Sequence, residues 1–318
     1  MENIHTAVVI PCYKVETKIE ETVLDIPEFI THIILINDAS PDNTGNIIDD
    51  MAPKNKKITS IHHSKNQGVG GAMKSGFNKA LELQSDIIIK IDGDGQMDTS
   101  YLLPMIETLK KSQYQFVKGN RFHDRKMLKK MPAIRRAGNL LIGFLIKLAS
   151  GYWKISDPTN GFFAIQRKTL KELNFNRLSN RFFFESSLII ELYYTGASIK
   201  DLTMPAIYND EKSNLSITQT LFSFPFKIFV SFIRRIWLQY FIYDFNIASL
   251  YIFFGSISFL FGLIFGSIKW AYYASNHIAA PTGTIMLATL TLILGFQMLL
   301  SAIQYDITAK NPFQHQYE

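Results

Sequence analysis

Two carboxylates and an amide alternate with glycines in the segment Asp92-Gly93-Asp94-Gly95-Gln96. The segment follows the run I-I-I-K-I at 87–91, which predicts a buried strand. Hard divalent cations such as Mg²⁺ and Mn²⁺ prefer oxygen ligands and often bridge protein carboxylates to a diphosphate. Turns also favour Asp and Gly, so the D-x-D pattern alone is weak. Its position at a strand end, among other polar loops, favours a metal site.

The elements around this segment alternate between strand and helix. Strands are predicted over 6–10, 32–36, 57–61, 86–91, 114–118, 161–166 and 198–202, and helices over 14–24, 43–51, 70–83, 99–111 and 184–195. This alternation predicts βαβ units and a mainly parallel sheet, an α/β fold. Ligands bind beyond the carboxyl ends of such strands. Polar residues cluster there, at Pro11-Cys12-Tyr13, Asn37-Asp38, Asp92-Gly93-Asp94 and Gly119-Asn120-Arg121.

A glycine-rich stretch, residues 65–72, enters the helix predicted over 70–83. It fails the dinucleotide pattern G-x-G-x-x-G, because the third glycine position is Met73, and no Walker lysine follows. A helix amino terminus of this kind suits either close packing or an anion. The sequence leaves both interpretations open.

Composition excludes several classes of protein. With 47% hydrophobic and 19% charged residues, the 318-residue chain is neither disordered nor collagen-like. Its single cysteine, Cys12, excludes a disulfide scaffold and a cysteine-built zinc site. Residues 1–10 have no basic start and predict a strand rather than a signal peptide.

Two apolar segments near the carboxyl end predict membrane spans. Residues 245–268 contain no formal charge, and residues 284–305 form a second candidate of full length. A pair of buried core helices is the less expected alternative. The aromatic segment 221–245 predicts an interfacial helix whose Arg234 and Arg235 lie at the headgroup boundary. These cations predict a cytoplasmic location for the first 245 residues. Two spans then return the tail to the same side of the membrane.

The basic residues of the chain are concentrated in one segment. Residues 121–154 carry a net charge of +8, whereas the whole chain carries +6. This segment leads into an amphipathic helix predicted over 134–150, in which Arg135, Arg136 and Lys147 suit a membrane interface. A core helix with a solvated basic approach is the alternative. The membrane segments argue against nucleic acid as the partner of these cations.

Five ordered segments of the chain match the motifs of a known family. They are V-I-P-C-Y-K-V-E at 9–16, N-D-A-S-P-D-N-T at 37–44, D-G-D-G-Q at 92–96, G-N-R at 119–121 and D-P-T-N-G-F at 157–162. With them the chain resembles the family 2 glycosyltransferases of GT-A fold. Among these it is most similar to the polyprenyl-phosphate sugar transferases, of which dolichol-phosphate mannose synthase is the best-known type. The resemblance covers residues 5–215.

The resemblance implies roles for individual residues. It places Pro11, Tyr13, Glu16 and Asp38 around the base and ribose of a nucleotide sugar, Asp92 on the nucleotide, and Asp94 and Gln96 on a divalent metal, Mg²⁺ or Mn²⁺. Arg121, with Arg135 or Arg136, holds the phosphate of a lipid acceptor. Lys212 is the only basic residue at 208–213, where the family often has an arginine. Asn37 and Lys14 depart from the family's acidic residue and asparagine, so the base contacts are expected to differ.

These observations together predict a membrane-bound inverting glycosyltransferase that moves a sugar from GDP-mannose or a UDP-hexose to a dolichyl or undecaprenyl phosphate. The expected parts are a GT-A domain (1–215), juxtamembrane helices (216–245), a two-helix anchor (246–306) and a cytoplasmic tail (307–318). A phosphate acceptor is already ionised near neutral pH, with a second pKa of about 6, and needs no general base. The expected partners are the nucleotide sugar, the lipid phosphate and the membrane, and a homo-oligomer is compatible with the sequence.

Two alternatives stay open at this point. A hydroxyl acceptor on a glycan or lipid would need a carboxylate base, for which Glu185 in R-F-F-F-E-S is the candidate. Glu185 is more readily interpreted as a structural or acceptor-orienting residue. The other alternative is a catalytically silent membrane scaffold.

Overall fold

The computed structural model describes residues 4–111, 113–121, 133–204 and 217–314. The chain forms two compact units, one of Met1–Ser231 with Phe313–Glu318 and the other of Phe232–Pro312. The predicted sites at Arg135 and Arg136 lie outside the described side chains, and Lys212 lies outside the described residues.

Within the described residues of the first unit, seven strands form one sheet in the order β3-β2-β1-β4-β6-β5-β7. They are β1 (Thr6–Cys12), β2 (His32–Asn37), β3 (Ile58–His62), β4 (Ile87–Lys90), β5 (Phe116–Asn120), β6 (Phe163–Gln166) and β7 (Ile199–Thr203). All neighbours pair in parallel except β6, which is antiparallel to both β4 and β5. The predicted α/β fold with a mainly parallel sheet is confirmed.

Helices flank the sheet and explain its apolar strands. They are α1 (Ile19–Leu24), α2 (Thr44–Met51), α3 (Val69–Glu82), α4 (Leu102–Lys110), α5 (Ala133–Ser150), α6 (Arg167–Glu172) and α7 (Phe184–Leu192). Strands covered on both faces read as continuous apolar runs. Accordingly, the side chains of Ala7 to Ile10 in β1 and of Ile34 to Ile36 in β2 are fully buried.

The reversed direction of β6 matters for the site. Parallel strands β1, β2, β4 and β5 all end at one edge of the sheet, and an antiparallel strand begins there. Phe163 at the start of β6 pairs with Lys90 of β4 and Lys118 of β5. The D-P-T-N-G-F segment before β6 therefore lies at the same edge as the D-G-D-G-Q segment after β4.

Helix α5 coincides with the amphipathic helix predicted from the basic segment. Ile146 and Ala149 are fully buried, whereas Leu140 and Leu141 are more than 60% exposed. Exposed leucines beside a buried face are typical of a helix that lies on an apolar surface. Its contact with a membrane remains a prediction.

Two long apolar helices dominate the second unit. Helix α8 (Ile217–Trp237) leads through a π-helical segment (Leu238–Tyr243) to α9 (Ile247–Ser275) and α10 (Thr282–Thr308). Helices α9 and α10 are long and apolar enough to cross a membrane, and most of their apolar surface is exposed. Such exposure is expected where lipid rather than protein covers a helix. Both predicted spans are confirmed as apolar helices.

Glycines let α9 and α10 approach closely, as small residues do in lipid. A Cβ on Gly262 would lie 2.7 Å from the backbone nitrogen of Leu292. A Cβ on Gly295 would overlap the backbone of Phe259. A larger residue at either position would separate the two helices.

A buried ion pair lies in the second unit, at Arg235 and Asp306. The guanidinium donates to both carboxylate oxygens of Asp306 at 2.8 Å and to Gln239 Oε1 at 2.7 Å, and the Tyr240 hydroxyl donates to Asp306 Oδ1 at 2.5 Å. Arg235 and Asp306 side chains are 1% and 5% exposed. The expectation that Arg235 faces lipid headgroups is wrong, because its guanidinium is buried and paired with Asp306.

Near the carboxyl end, Phe313 packs within the first unit. The Phe313 ring contacts Tyr193 and Tyr194 edge-on. Gly196 has a φ of +72°, and a Cβ there would overlap the Phe313 carbonyl. Glycine is therefore required at 196 both for its backbone conformation and for this contact.

Candidate active site

The loops after β1 and β2 are tied together into one wall of the site. The Lys14 backbone N–H donates to Ser40 Oγ at 2.7 Å, and the Asn43 N–H donates to Glu16 Oε2 at 2.8 Å. Lys14 and Ala39 adopt left-handed backbone conformations, with φ values of 58° and 50°. Non-glycine residues in this region are uncommon and cluster at functional sites. Tyr13 is 40% exposed on this wall.

Asp38 is used inside the fold. Its side chain accepts hydrogen bonds from the backbone N–H groups of Gln67 (2.8 Å) and Gly68 (2.7 Å), and it lies 2.7 Å from His63 Nδ1. The residue is 3% exposed. Asp38 therefore fastens the glycine-rich segment to the second loop, and its predicted role at the nucleotide stays a prediction.

The glycine-rich segment serves close packing. Gly68 has a φ of +83°, and a Cβ on Gly70 would overlap the Ser179 carbonyl. The Gly71 N–H donates to the Asn180 carbonyl at 3.1 Å. Lys74 Nζ donates to the Leu178 carbonyl and to Asn180 Oδ1, both at 2.6 Å. Of the two interpretations left open by the sequence, the contacts support packing against residues 179–181.

The predicted metal-binding segment forms a tight turn after β4. Asp94 Oδ1 accepts from the Gln96 backbone N–H at 3.0 Å, and Gly95 takes a left-handed conformation with φ +71°. Asp92 Oδ1 lies 2.7 Å from Lys90 Nζ, and its side chain is 36% exposed. One face of this turn is thus held by the protein while carboxylate surface remains open.

The donor atoms of this turn fit a divalent cation that is shared with a ligand. Asp92, Asp94 and Gln96 offer only oxygen ligands, the type that Mg²⁺ and Mn²⁺ prefer. Among the described residues, no group of three or more His, Cys, Asp or Glu side chains could hold a metal by itself. Mg²⁺ usually keeps waters and binds through one or two carboxylates plus substrate phosphates.

Lys90 links the turn to the amino end of α7. Its ammonium is 1% exposed and lies 2.7 Å from Asp92 Oδ1 and 3.3 Å from Glu185 Oε1. Burial alone would lower the pKa of Lys90, but the two carboxylates raise it above its usual range. Burial raises the pKa of Glu185, against the opposing effect of Lys90.

Arg121, predicted to hold an acceptor phosphate, is positioned by a buried carboxylate. Its Nε and Nη2 donate to the two oxygens of Asp157 at 2.7 and 3.1 Å, and Asp157 is fully buried. Within the same D-P-T-N-G-F segment, the amide nitrogen of Asn160 is buried and has no hydrogen-bond partner in the part of the chain that the structure describes. A Cβ on Gly161 would overlap Lys90 Nζ and lie 3.3 Å from Asp92 Oδ2.

The structure brings together Asp92, Asp94, Gln96 and the Arg121–Asp157 pair at one sheet edge, and adds Lys90 to them. Sequence reasoning missed Lys90 and the pairing of Asp157. The signal for Lys90 was present, because a lysine inside the run I-I-I-K-I must find a buried counter-charge. Nothing in the sequence indicates which carboxylates supply it.

The sheet and its polar edge define a Rossmann-like fold of GT-A type. Glucosyl-3-phosphoglycerate synthase from Mycobacterium tuberculosis, solved with Mn²⁺, UDP and glucosyl-3-phosphoglycerate, has a TM-score of 0.50 and 17% identity, over 73% of this chain and 80% of that chain. At this identity the likeness shows the fold alone.

Residues 7–173 match the family described as Glycosyl transferase family 2, and the chain belongs to this family. The UDP-N-acetylglucosamine–dolichyl-phosphate N-acetylglucosaminyltransferase of Methanococcus voltae is 29% identical over 215 residues, which cover 64% of this chain and 85% of that protein. The dolichol-phosphate mannosyltransferase of Pyrococcus furiosus is 24% identical over 190 residues, covering 56% and 51%. The protein is therefore a glycosyltransferase, as the sequence predicted.

Proposed function

We propose that this glycosyltransferase moves a sugar from a nucleotide-sugar donor to a polyprenyl phosphate at a membrane surface, with a divalent metal bound by Asp94 and Gln96. The relatives named above are polyprenyl-phosphate sugar transferases. The observation that best supports the proposal is the position of the segment 157–161. It holds Arg121 through Asp157 and abuts Lys90 and Asp92 through Gly161. An anion-binding guanidinium and the open carboxylates thus share one supporting loop.

The chemistry follows from these residues. Attack of a lipid phosphate oxygen on the anomeric carbon breaks the bond to the nucleoside diphosphate and inverts the configuration. When bound, the divalent metal offsets negative charge on the departing diphosphate. A phosphate nucleophile needs no proton removed but must be held against a negatively charged donor. Arg121, oriented by a buried Asp157, supplies the planar pair of donors that suits this purpose.

The proposed organisation places the catalytic domain at 1–215, the juxtamembrane helices at 216–245, the anchor at 246–306 and the tail at 307–318. The catalytic domain and both termini are assigned to the cytoplasmic side. Residues up to Ser231 and from Phe313 belong to one compact unit, which supports a common side for both ends of the two-helix segment.

A donor panel tests the proposal directly. Purified full-length protein is given labelled GDP-mannose, UDP-glucose or UDP-N-acetylglucosamine with a polyprenyl phosphate and Mg²⁺ or Mn²⁺. The expected result is a chloroform-soluble sugar product with one donor, lost on chelation of the metal. Absence of product with every donor contradicts the proposal.

Arg121→Ala is expected to raise the KM for the polyprenyl phosphate about 10–100-fold, because a charge-assisted hydrogen bond contributes about 1.5–3 kcal/mol. The donor KM should change little. Arg167→Ala is the matched control, since Arg167 also pairs with a carboxylate, Asp86 at 2.8 Å, but at the other end of β4. Equal effects of the two variants on acceptor KM would contradict the role of Arg121.

A hydroxyl acceptor is the second candidate, favoured by the raised pKa of the partly buried Glu185. A carboxylate with a raised pKa is suited to general-base catalysis. Glu185→Gln would then lower kcat by about 10²–10⁴-fold. Glu185 is paired with Lys90, and a carboxylate held in an ion pair is less available to take a proton from a hydroxyl. This pairing favours the phosphate acceptor, which needs no general base.

A further inference from the structure

Lys90 is a buried cation at the catalytic edge of the sheet. It ends strand β4, its side chain is 1% exposed, and it touches three separate segments of the chain. These segments are the turn after β4 through Asp92, the loop before β6 through Gly161, and the start of α7 through Glu185. Burying a charge costs desolvation free energy, which only well-placed partners of opposite charge offset.

The partners of Lys90 have different exposures. Asp92 is 36% exposed, whereas Glu185 is 15% exposed and lies in the first turn of α7. Two carboxylates that share one buried ammonium would repel each other without it. The ammonium therefore fixes both of their positions relative to the sheet.

We propose that Lys90 is a positioning residue for sugar transfer, which holds Asp92 on the donor side and Glu185 on the acceptor side in one fixed geometry. The inference rests on the proposed function, since it names the residue that orders that site. Lys90 contacts no substrate in this scheme and acts through its two carboxylate partners. Gly161 leaves room for the ammonium, since a Cβ there would overlap Lys90 Nζ.

The chain supplies a matched control in Lys118. This lysine is also 1% exposed, pairs across β6 with the same residue, Phe163, and forms its own ion pair with Asp201 at 3.4 Å. Burial lowers the pKa of Lys118, whereas the pKa of Lys90 is raised by the carboxylates around it. Lys118→Met thus reports the stability cost of losing a buried lysine from this sheet.

The experiment compares Lys90→Met with Lys118→Met in the full-length protein. The measurements are the Kd of UDP and GDP with Mn²⁺, the kcat of transfer and the Tm. Lys90→Met should weaken nucleotide binding about 10-fold, as loss of a supporting residue around a ligand site commonly does. It should lower kcat about 100-fold through misplacement of reacting groups. Lys118→Met should lower the Tm similarly and leave the nucleotide Kd unchanged.

A Lys90→Met protein that is folded and binds nucleotide as the wild type does would overturn the inference. Glu185→Gln keeps the test open should Lys90→Met fail to fold. It should lower kcat about 10-fold at an unchanged Tm, because the neutral amide weakens the link. Wild-type kcat would overturn the inference, and so would a loss of about 10³-fold, which indicates a general base.

Non-additivity separates positioning from independent effects. The double variant Lys90→Met/Glu185→Gln should be no slower than Lys90→Met alone, since both changes break one link. Failure of the proposed function is read separately. A wild-type protein that binds nucleotide but uses no polyprenyl phosphate contradicts the function, while the nucleotide Kd and donor hydrolysis of the variants still test Lys90.

Discussion

The two units of this enzyme each bury a cation beside carboxylate, yet they do so in different ways. In the first unit Lys90 is sealed while Asp92 is 36% exposed. In the second unit Arg235, Gln239, Tyr240 and Asp306 are all at least 93% buried. An open carboxylate can bind a ligand, whereas a fully buried network can only fix the packing of its helices. Exposure of one partner, as with Asp92 beside Lys90 or Arg121 beside Asp157, separates a candidate site from a structural ion pair.

The sharpest test of this difference is Asp94→Ala in the open turn. Turnover should fall about 10³-fold, or about 4 kcal/mol, because the proposed metal site loses a carboxylate while the fold is retained. Steady-state kinetics and the Tm are both measured. Asp98→Asn is the control, since Asp98 Oδ1 only caps the following turn through the Ser100 N–H. Retained turnover in Asp94→Ala would remove this turn from the catalytic site.

Asp306→Ala should show the opposite signature, with lower stability and normal turnover per folded molecule. Removing one partner of a buried ion pair costs about 3–5 kcal/mol, because the Arg235 charge is left without its carboxylate. Unfolding in detergent measures the change. The double variant Arg235→Met/Asp306→Leu should recover most of the loss, since apolar replacements of a buried pair are often neutral. No recovery would show that the pair does more than pack.

Glu191, in the first unit, should have a smaller effect on stability than the Arg235–Asp306 pair of the second unit. Burial raises its pKa to about 7, against the opposing influence of Arg177, whose Nη1 lies 3.9 Å away. In the unfolded chain the carboxyl has its ordinary pKa of 4.5, so the folded state binds more protons between pH 4.5 and 7. Stability from this group is therefore complete below pH 4.5 and is lost as pH rises through about 7.

Glu191→Gln should consequently raise the Tm at pH 8 by about 2–4 °C, the shift that about 1 kcal/mol produces in a domain of this size. At pH 4.5 the variant and the wild type should unfold at similar temperatures. Thermal unfolding across this pH range makes the measurement. An unchanged difference at all pH values would mean that Glu191 does not titrate in this window.

Much of the fold was accessible from periodicity and composition. The predicted strand at 6–10 begins where β1 begins, and the apolar segments 245–268 and 284–305 lie within α9 and α10 apart from two residues at the start of the first. Local patterns suffice there because each run must bury or expose a continuous apolar surface. The turn at 92–96 was predicted for the same reason, since its residues adjoin one another in sequence, and metal binding by this turn stays a prediction.

The rest depends on contacts between distant parts of the chain. The strand pattern at 161–166 is the same for either direction, so the antiparallel placement of β6 is set by where the chain returns to the sheet. Arg235 reads as an interfacial cation until its partner, 71 residues away, is known. The sequence likewise does not indicate that the Asp38 carboxylate accepts hydrogen bonds from the backbone of residues 67 and 68, and its predicted role at the nucleotide stays a prediction.

The docked segment at Phe313 bears on how the enzyme is handled in the laboratory. An affinity tag or fluorescent reporter added shortly after Gln314 would begin beside a backbone that fills the space over Gly196. A long flexible spacer keeps such a fusion from pulling the segment away. Fusions at the amino end leave that contact untouched.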